Sequence, residues 1–302
     1  MKYWDLVKAT TSVMDDYPGM RLTVRQIYYR LVSPPYQLFE NTVRSYKNLV
    51  AMLTRARENG DVPWNRIEDR RRRTSGGETG YRSPKDFLDF WMKVLRNLNK
   101  YYSRKKWSTQ PSYVEVWVEK EALARLFEQA AEPWKVVVFP TVGYSSLTMF
   151  MEAVERFQDI EQPIVILDFR DHDPSGVDMS RDVEDRLRRY GADITVKRIA
   201  LTIDQVRDLN LASNPTKKAD SRTAKYLEQF GDECWELDAY PPDQLMELIT
   251  HSVEEEVDLE AWEQVETLEA EEKDKIESGI DEARLYIEDV ENTLRKQFEE
   301  EE

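Results

Sequence analysis

Asp171-His172-Asp173-Pro174-Ser175-Gly176 is the stretch whose residue types could do chemistry most directly. It follows Ile164-Val165-Ile166-Leu167, an apolar run that reads as a buried parallel strand. Two carboxylates one residue apart in a dry site need a partner, and a hard divalent cation is the usual one. Pro174 and Gly176 stop the strand and force a tight turn before the next helix. The plainer alternative is an ordinary acidic strand-to-helix loop, because Asp favours helix N-caps. Glu119 ends a second strand-like run, Tyr113-Val114-Glu115-Val116-Trp117-Val118, and so supplies a third carboxylate placed the same way. Oxygen-only ligation by Glu119, Asp171 and Asp173 suits Mg2+ or Mn2+. His172 and His251 are the only histidines, which disfavours a zinc centre. His172 is expected to point away from the aspartates that flank it.

A second cluster is Arg25-Gln26-Ile27-Tyr28-Tyr29-Arg30. Neighbours on a helix point about 100° apart, so one tyrosine can pack inward while the other faces a groove. A phenol attacks poorly unless cations stabilise its phenolate, and Arg25 and Arg30 are close enough in sequence to help. The plainer alternative is a pair of half-buried core tyrosines.

The elements that must hold these groups fall into two styles. Residues 3–16, 24–32 and 42–58 read as three short helices, the second opened by a Thr23/Gln26 capping box. Val43, Leu49, Val50 and Leu53 are expected on the inner side of the third, leaving Arg44, Lys47, Arg55 and Arg57 to meet phosphates. Such a trio suits a helix-turn-helix or winged-helix core. Arg70-Arg71-Arg72-Arg73 follows, as a solvated or an anion-binding cluster, and the basic context favours phosphate. Residues 84–102 read as one helix with Phe87, Phe90, Trp91, Val94, Leu95 and Leu98 on its apolar face. From about residue 113 to 199, four strand-like runs alternate with helices, which calls for a parallel sheet with right-handed crossovers. Ligands of such sheets bind at the carboxyl ends of strands, where Glu119, Asp171 and Asp173 fall. Later, residues 214–220 read as a polar loop that could touch DNA, and Glu236 or Asp238 could reach the metal site. From residue 257 the chain reads as one acidic helical stretch, with Ile276, Ile280, Ala283, Ile287, Val290 and Leu294 forming a short coiled-coil seam. The expected segments are a winged-helix-like domain (1–75), a linker and helix (76–110), an α/β metal-binding domain (111–250) and an acidic helical extension (251–302).

The net charge of −16 conceals a polarity. Residues 1–110 carry 22 Lys and Arg against 11 Asp and Glu, whereas the remainder carries 21 against 48. A basic first third suggests a nucleic-acid surface. A single cysteine, Cys234, excludes an internal disulfide and points to a reducing cytosol. No run approaches the roughly 18 apolar residues of a membrane span, and the first residues do not read as a signal peptide, so a soluble cytoplasmic protein is expected.

Together, three motifs resemble the A subunit of topoisomerase VI and its meiotic relatives, and more closely their small stand-alone bacterial and archaeal cousins. Val118-Glu119-Lys120 resembles the glutamate motif of a Toprim domain. Asp171-His172-Asp173-Pro174-Ser175-Gly176 resembles its Asp-x-Asp-Pro-x-Gly, and Arg25-Gln26-Ile27-Tyr28-Tyr29 the winged-helix motif with the nucleophilic tyrosine, usually the second of the pair. The resemblance covers roughly residues 20 to 250. It implies that Tyr29 attacks a backbone phosphate of double-stranded DNA and joins a 5′ end, with Arg25 stabilising charge nearby and Tyr28 beside it. It implies Mg2+ (or Mn2+) held by Glu119, Asp171 and Asp173, and a homodimer that cuts both strands, as in a type IIB topoisomerase. Two departures bear on ATP-driven strand passage. Only 28 residues precede Tyr29, which leaves little of the lead that docks a separate ATPase B-type subunit, and the chain has no Gly-x-x-x-x-Gly-Lys-Ser/Thr loop. A Toprim nuclease that activates water, or a winged-helix DNA-binding protein without catalysis, would share most of these residues.

Overall fold

The computed structural model describes residues 2–68, 79–141, 147–216 and 223–299. The chain forms two compact units, one of Met1–Arg72 with Pro111–Val257, the other of Arg73–Gln110 with Asp258–Glu302. The basic helical trio and the α/β segment therefore share one unit, and the segment between them joins the acidic C-terminal stretch in the other.

The first unit opens with α1 (Tyr3–Asp16), α2 (Val24–Val32) and α3 (Val43–Glu58). α2 starts on the expected capping box: Thr23 Oγ1 accepts from the Gln26 amide at 3.0 Å, and Gln26 Oε1 accepts from the Thr23 amide at 2.9 Å. Thr42 caps α3, its Oγ1 accepting from the Ser45 amide at 3.1 Å. α3 buries Leu49, Leu53 and Ala56, while Val43 and Val50 face solvent. Successive residues on a helix diverge by about 100°, so Leu49 and Val50 cannot both face inward, and the inner stripe is narrower than expected. Leu22 and Ile67 form an isolated parallel bridge beside the trio.

After α4 (Pro84–Arg96) of the second unit, the first resumes with β1 (Tyr113–Val118), α5 (Ala124–Ala131), β2 (Val137–Pro140) and α6 (Leu147–Phe157). There follow β3 (Ile164–Phe169), α7 (Pro174–Arg189), β4 (Ile194–Ala200) and α8 (Ile203–Asp208). A two-residue antiparallel pair, β5 (Asn214–Pro215) and β6 (Glu233–Cys234), brackets α9 (Thr223–Phe230), and α10 (Pro242–Glu254) closes the unit. β1 to β4 make one parallel sheet in the order β2-β1-β3-β4, flanked by helices. The strand order reverses between β1 and β3, so a crevice opens at their carboxyl ends. One face of the sheet packs Trp117, Ile164, Ile166 and Ile194 against Phe150, Phe157, Met179, Val183 and Leu187 of α6 and α7. On α5, Phe127 meets Phe169 edge-on, ring centroids 4.9 Å apart. Both faces being covered explains why the strands read as continuous apolar runs.

The second unit holds α4, α11 (Leu259–Glu282) and α12 (Arg284–Glu299). The apolar run expected over residues 84–102 is helical only to Arg96, after which Leu98–Tyr101 tightens into a 3-10 turn. The acidic stretch is two helices, not one. α11 ends at Ala283, whose amide donates to Gly279 and Asp281 carbonyls, so the expected seam from Ile276 to Leu294 is cut in two. Gly279 weakens the helix one turn before the break. Its acids are used internally: Arg104 makes a two-pronged contact with Glu272 at 2.5 and 2.6 Å, Lys106 pairs with Glu269 at 3.2 Å, and Glu291 joins Arg96 and Arg295. Part of the basic first third is thus neutralised inside this unit. Among the described residues, no helix is long and apolar enough to cross a membrane.

Candidate active site

The crevice between β1 and β3 gathers four carboxylates, three of them around one lysine. β1 delivers Glu119 and Lys120; the Asp171 amide, just past β3, donates to Glu119 Oε2 at 3.1 Å. Lys120 Nζ lies 3.0 Å from Asp171 Oδ1, 2.7 Å from Asp238 Oδ2 and 3.3 Å from Glu236 Oε2. Asp171 Oδ1 also accepts from the Leu237 amide at 2.8 Å. Burial, opposed by Lys120 but reinforced by the charge of Glu119, pushes the Asp171 carboxyl up to about 7. Burial works against the Lys120 ammonium, yet its three carboxylate partners carry it well above the usual lysine range.

The local chain shape explains the motif. Asp173 is the N-cap of α7: its Oδ1 accepts from the Gly176 amide at 2.6 Å, and Pro174 takes the first helical position. Gly176 lies so close under the Asp171 backbone that a Cβ there would stand 2.2 Å from the Asp171 carbonyl oxygen. Only glycine lets the helix begin against that carbonyl. From β4, Arg198 donates to the carbonyls of Asp171 (2.8 Å), Gly176 (2.6 Å) and Leu201 (3.1 Å), fixing the loop that presents the carboxylate. Beneath it, buried Arg170 donates to both oxygens of Asp168, and Ser180 Oγ donates to Asp168 Oδ2 at 2.6 Å.

The structure brings Glu119 and Asp171 together and turns Asp173 onto its own helix. Among the described residues, no group of three His, Cys, Asp or Glu side chains is arranged to hold a metal ion. The oxygen-only pair of Glu119 and Asp171 nevertheless fits Mg2+, which is commonly held by one or two carboxylates plus waters and a substrate phosphate. His172 turns away from both aspartates: it is buried, its Nδ1 lies 2.8 Å from Tyr226 Oη, and its ring packs on Phe230 and Trp235. Burial and Arg198 lower its pKa to about 4.

α2 reaches the same cluster. Arg25 pairs with Glu236 at 2.7 Å, and Thr23 Oγ1 donates to Asp238 Oδ1 at 3.3 Å. Tyr29 Oη accepts from Asn214 Nδ2 at 2.7 Å, and Asn41 Nδ2 lies 3.2 Å from Asn214 Oδ1. Tyr29 is 2 % exposed, and its phenol is held well above the usual range, by burial first and by Glu236 second. Tyr28 is buried beside it, its hydroxyl occupied by backbone: it donates to Thr42 O at 3.0 Å and accepts from the Thr42 amide at 2.9 Å. Arg30 turns from the site to the Ala239 carbonyl. On α3, Arg44 and Lys47 are exposed, whereas Arg55 lies over the Tyr3 ring at 5.2 Å and Arg57 over the Trp64 ring at 4.1 Å. Arg70, Arg71, Arg72 and Arg73 lie outside the described residues, as do Lys217, Lys218 and Arg222.

Sequence reasoning missed the central position of Lys120, the clamp made by Arg198 and the role of Asn214. The adjacency of Lys120 to Glu119 was the one available signal. Arg198 sits in an alternating strand like any surface arginine, and nothing marked Asn214 from other polar loop residues. No family model matches the chain, and no curated protein matches it. The resemblance described above therefore rests on its three motifs.

Proposed function

We propose that the protein is a Mg2+-dependent DNA strand-breaking enzyme working at the Glu119–Asp171 edge, with Tyr29 as the attacking group. The observation that carries this reading is a convergence. Residues singled out for chemistry in three separate parts of the chain meet in one cluster, linked through Arg25, Glu236, Lys120 and Asp171. In this reading the helical trio is a winged-helix-type DNA reader, the sheet is a Toprim-like domain, and Arg44 and Lys47 contact phosphates. Glu119 and Asp171 would hold Mg2+, which when bound supplies Lewis-acid stabilisation of charge on the phosphate oxygens.

The chain's own residues set the rest. Lys120 neutralises the acid cluster, a charge role that a bound Mg2+ would share. Asn214 holds the Tyr29 hydroxyl and must release it before a phosphate arrives. Tyr29 Oη then bonds to phosphorus as the bond to the 3′ oxygen breaks. The phenolic proton leaves to solvent, and the 3′ oxygen takes one up. Arg25 compensates charge beside the phosphotyrosyl group once Glu236 yields it. A dimer would cut both strands, and the ester keeps the bond energy for rejoining without ATP. A separate ATPase B-type subunit remains part of the proposal only for strand passage.

The burial of Tyr29 favours a second reading, in which the same carboxylates serve a nuclease that activates water. Incubation with end-labelled duplex and Mg2+, followed by denaturation, separates the two. Protein-linked ends that vanish in Tyr29→Phe support the first. Free cut ends that survive Tyr29→Phe support the second. Binding without cutting, unchanged in Asp171→Asn, would overturn both.

A further inference from the structure

The second unit carries a feature with no role in that chemistry. Phe87, Trp91, Val94, Leu98 and Tyr101 recur at alternating spacings of four and three along α4 and the turn after it. Tyr81 and Phe90 widen the stripe: Tyr81 packs on Phe87 and Phe90, and Phe90 on Trp91, with ring centroids 5.0 to 5.7 Å apart. Tyr81, Phe87, Phe90, Trp91, Leu98 and Tyr101 are each between 43 and 67 % exposed. The opposite side of α4 is the one that meets α12, through Arg295 to Asp89 and Arg96 to Glu291. An aromatic stripe of this size is a recognition surface rather than scattered exposure.

We propose that this face of α4 docks a second copy of the chain, antiparallel, about a two-fold axis near Phe90. Three observations select that occupant. Within α4, Phe87, Trp91 and Val94 carry the four-three spacing of a helix-pairing seam, so a second helix is the complementary shape. The area suffices: five aromatic side chains about half exposed, of the ~150–250 Å² each presents, give on the order of 500 Å² per copy, or roughly the 1,000 Å² a specific interface needs. The charges are self-complementary. Asp86 and Lys93 are exposed, seven residues apart, on one flank of the stripe. Antiparallel helices bring like flanks together, so Asp86 of each copy faces Lys93 of the other, twice. The same register sets Phe87 against Trp91 and Phe90 against Phe90. This pairing needs none of the cleavage chemistry: a monomer would also remove the dimer of that reading, whereas a dimer indifferent to Phe90→Asp would overturn this surface alone.

Sedimentation velocity of the full chain over a nanomolar-to-micromolar series tests it. The wild type should dimerise, and Phe90→Asp should weaken the dimer at least tenfold with an unchanged circular dichroism spectrum. Asp86→Lys and Lys93→Asp should each weaken it severalfold, and the two together should restore it. A chain that stays monomeric, or a dimer indifferent to Phe90→Asp, would overturn the surface. Failure of the charge swap to restore the dimer would overturn the antiparallel pairing.

Discussion

Asp171 in the first unit and Glu272 in the second are both acids beside a cation, and their environments drive them in opposite directions. Glu272 sits in an open two-pronged contact with Arg104, also accepts from Tyr102 Oη, and is drawn down to about 2. Asp171 shares one lysine with two other carboxylates, faces Glu119, and is pushed up to about 7. In the second unit the acids are matched by cations, Glu272 by Arg104, Glu269 by Lys106 and Lys273, and Glu291 by Arg96 and Arg295, which organises helices. In the first, four carboxylates share Lys120 and Arg25, helped by the Asp171 and Leu237 amides and the Thr23 hydroxyl. An excess of buried negative charge opposes folding and is kept where another positive group is to be bound.

The largest way to break this contrast is Lys120→Met, which strands Asp171, Glu236 and Asp238 together. Breaking such a cluster costs about 3–5 kcal/mol when fully buried, and the partial exposure of Lys120 brings this to roughly 2–4 kcal/mol. Urea unfolding at pH 7.5 should show the loss, and it should shrink at pH 5, where Asp171 is protonated. Next is Gly176→Ala, which drives a methyl into the Asp171 carbonyl and should cost about 2–3 kcal/mol. The contrast sharpens with pH. The Asp171 carboxyl is raised in the folded state, so in EDTA its contribution is full below about pH 4 and is lost as pH rises through about 7. Asp171→Asn should flatten that fall. Glu269 and Glu272 are both lowered to about 2, so their contribution is present above about pH 4.5 and is lost as pH falls through 2. The smallest effect is Glu272→Gln, a slight drop in unfolding midpoint that 0.5 M NaCl should largely erase, because exposed pairs are screened.

Much of the first unit was legible because its signals are local. The Thr23 capping box, the four apolar runs and the acids at strand ends follow from propensity and period. Strand order was not legible: β-α-β alternation specifies parallel strands without saying that β3 pairs with β1 rather than β2. That order makes Glu119 and Asp171 neighbours. Asp173 shows the limit within a motif, because two aspartates one residue apart read as a pair, while the backbone turns one onto a helix amide. Lys120, Arg198 and Asn214 act through contacts distant in sequence, and no spacing rule announces them. In the second unit, a coiled-coil spacing was visible along the acidic stretch and an apolar face along residues 84–102. Whether each stripe was covered or exposed depended on tertiary contacts.

The central claim is that Tyr29 and the Glu119–Asp171 pair act on the same phosphate. Its most direct test is to trap wild-type protein on duplex DNA with Mg2+, digest with nuclease and trypsin, and weigh the peptide spanning residues 26–30. The account predicts that this peptide carries a nucleotide on Tyr29, and that the adduct is absent in Glu119→Gln and Asp171→Asn. Unmodified peptide from protein that has cut its DNA, or a Tyr29 adduct that persists in Asp171→Asn, would contradict it.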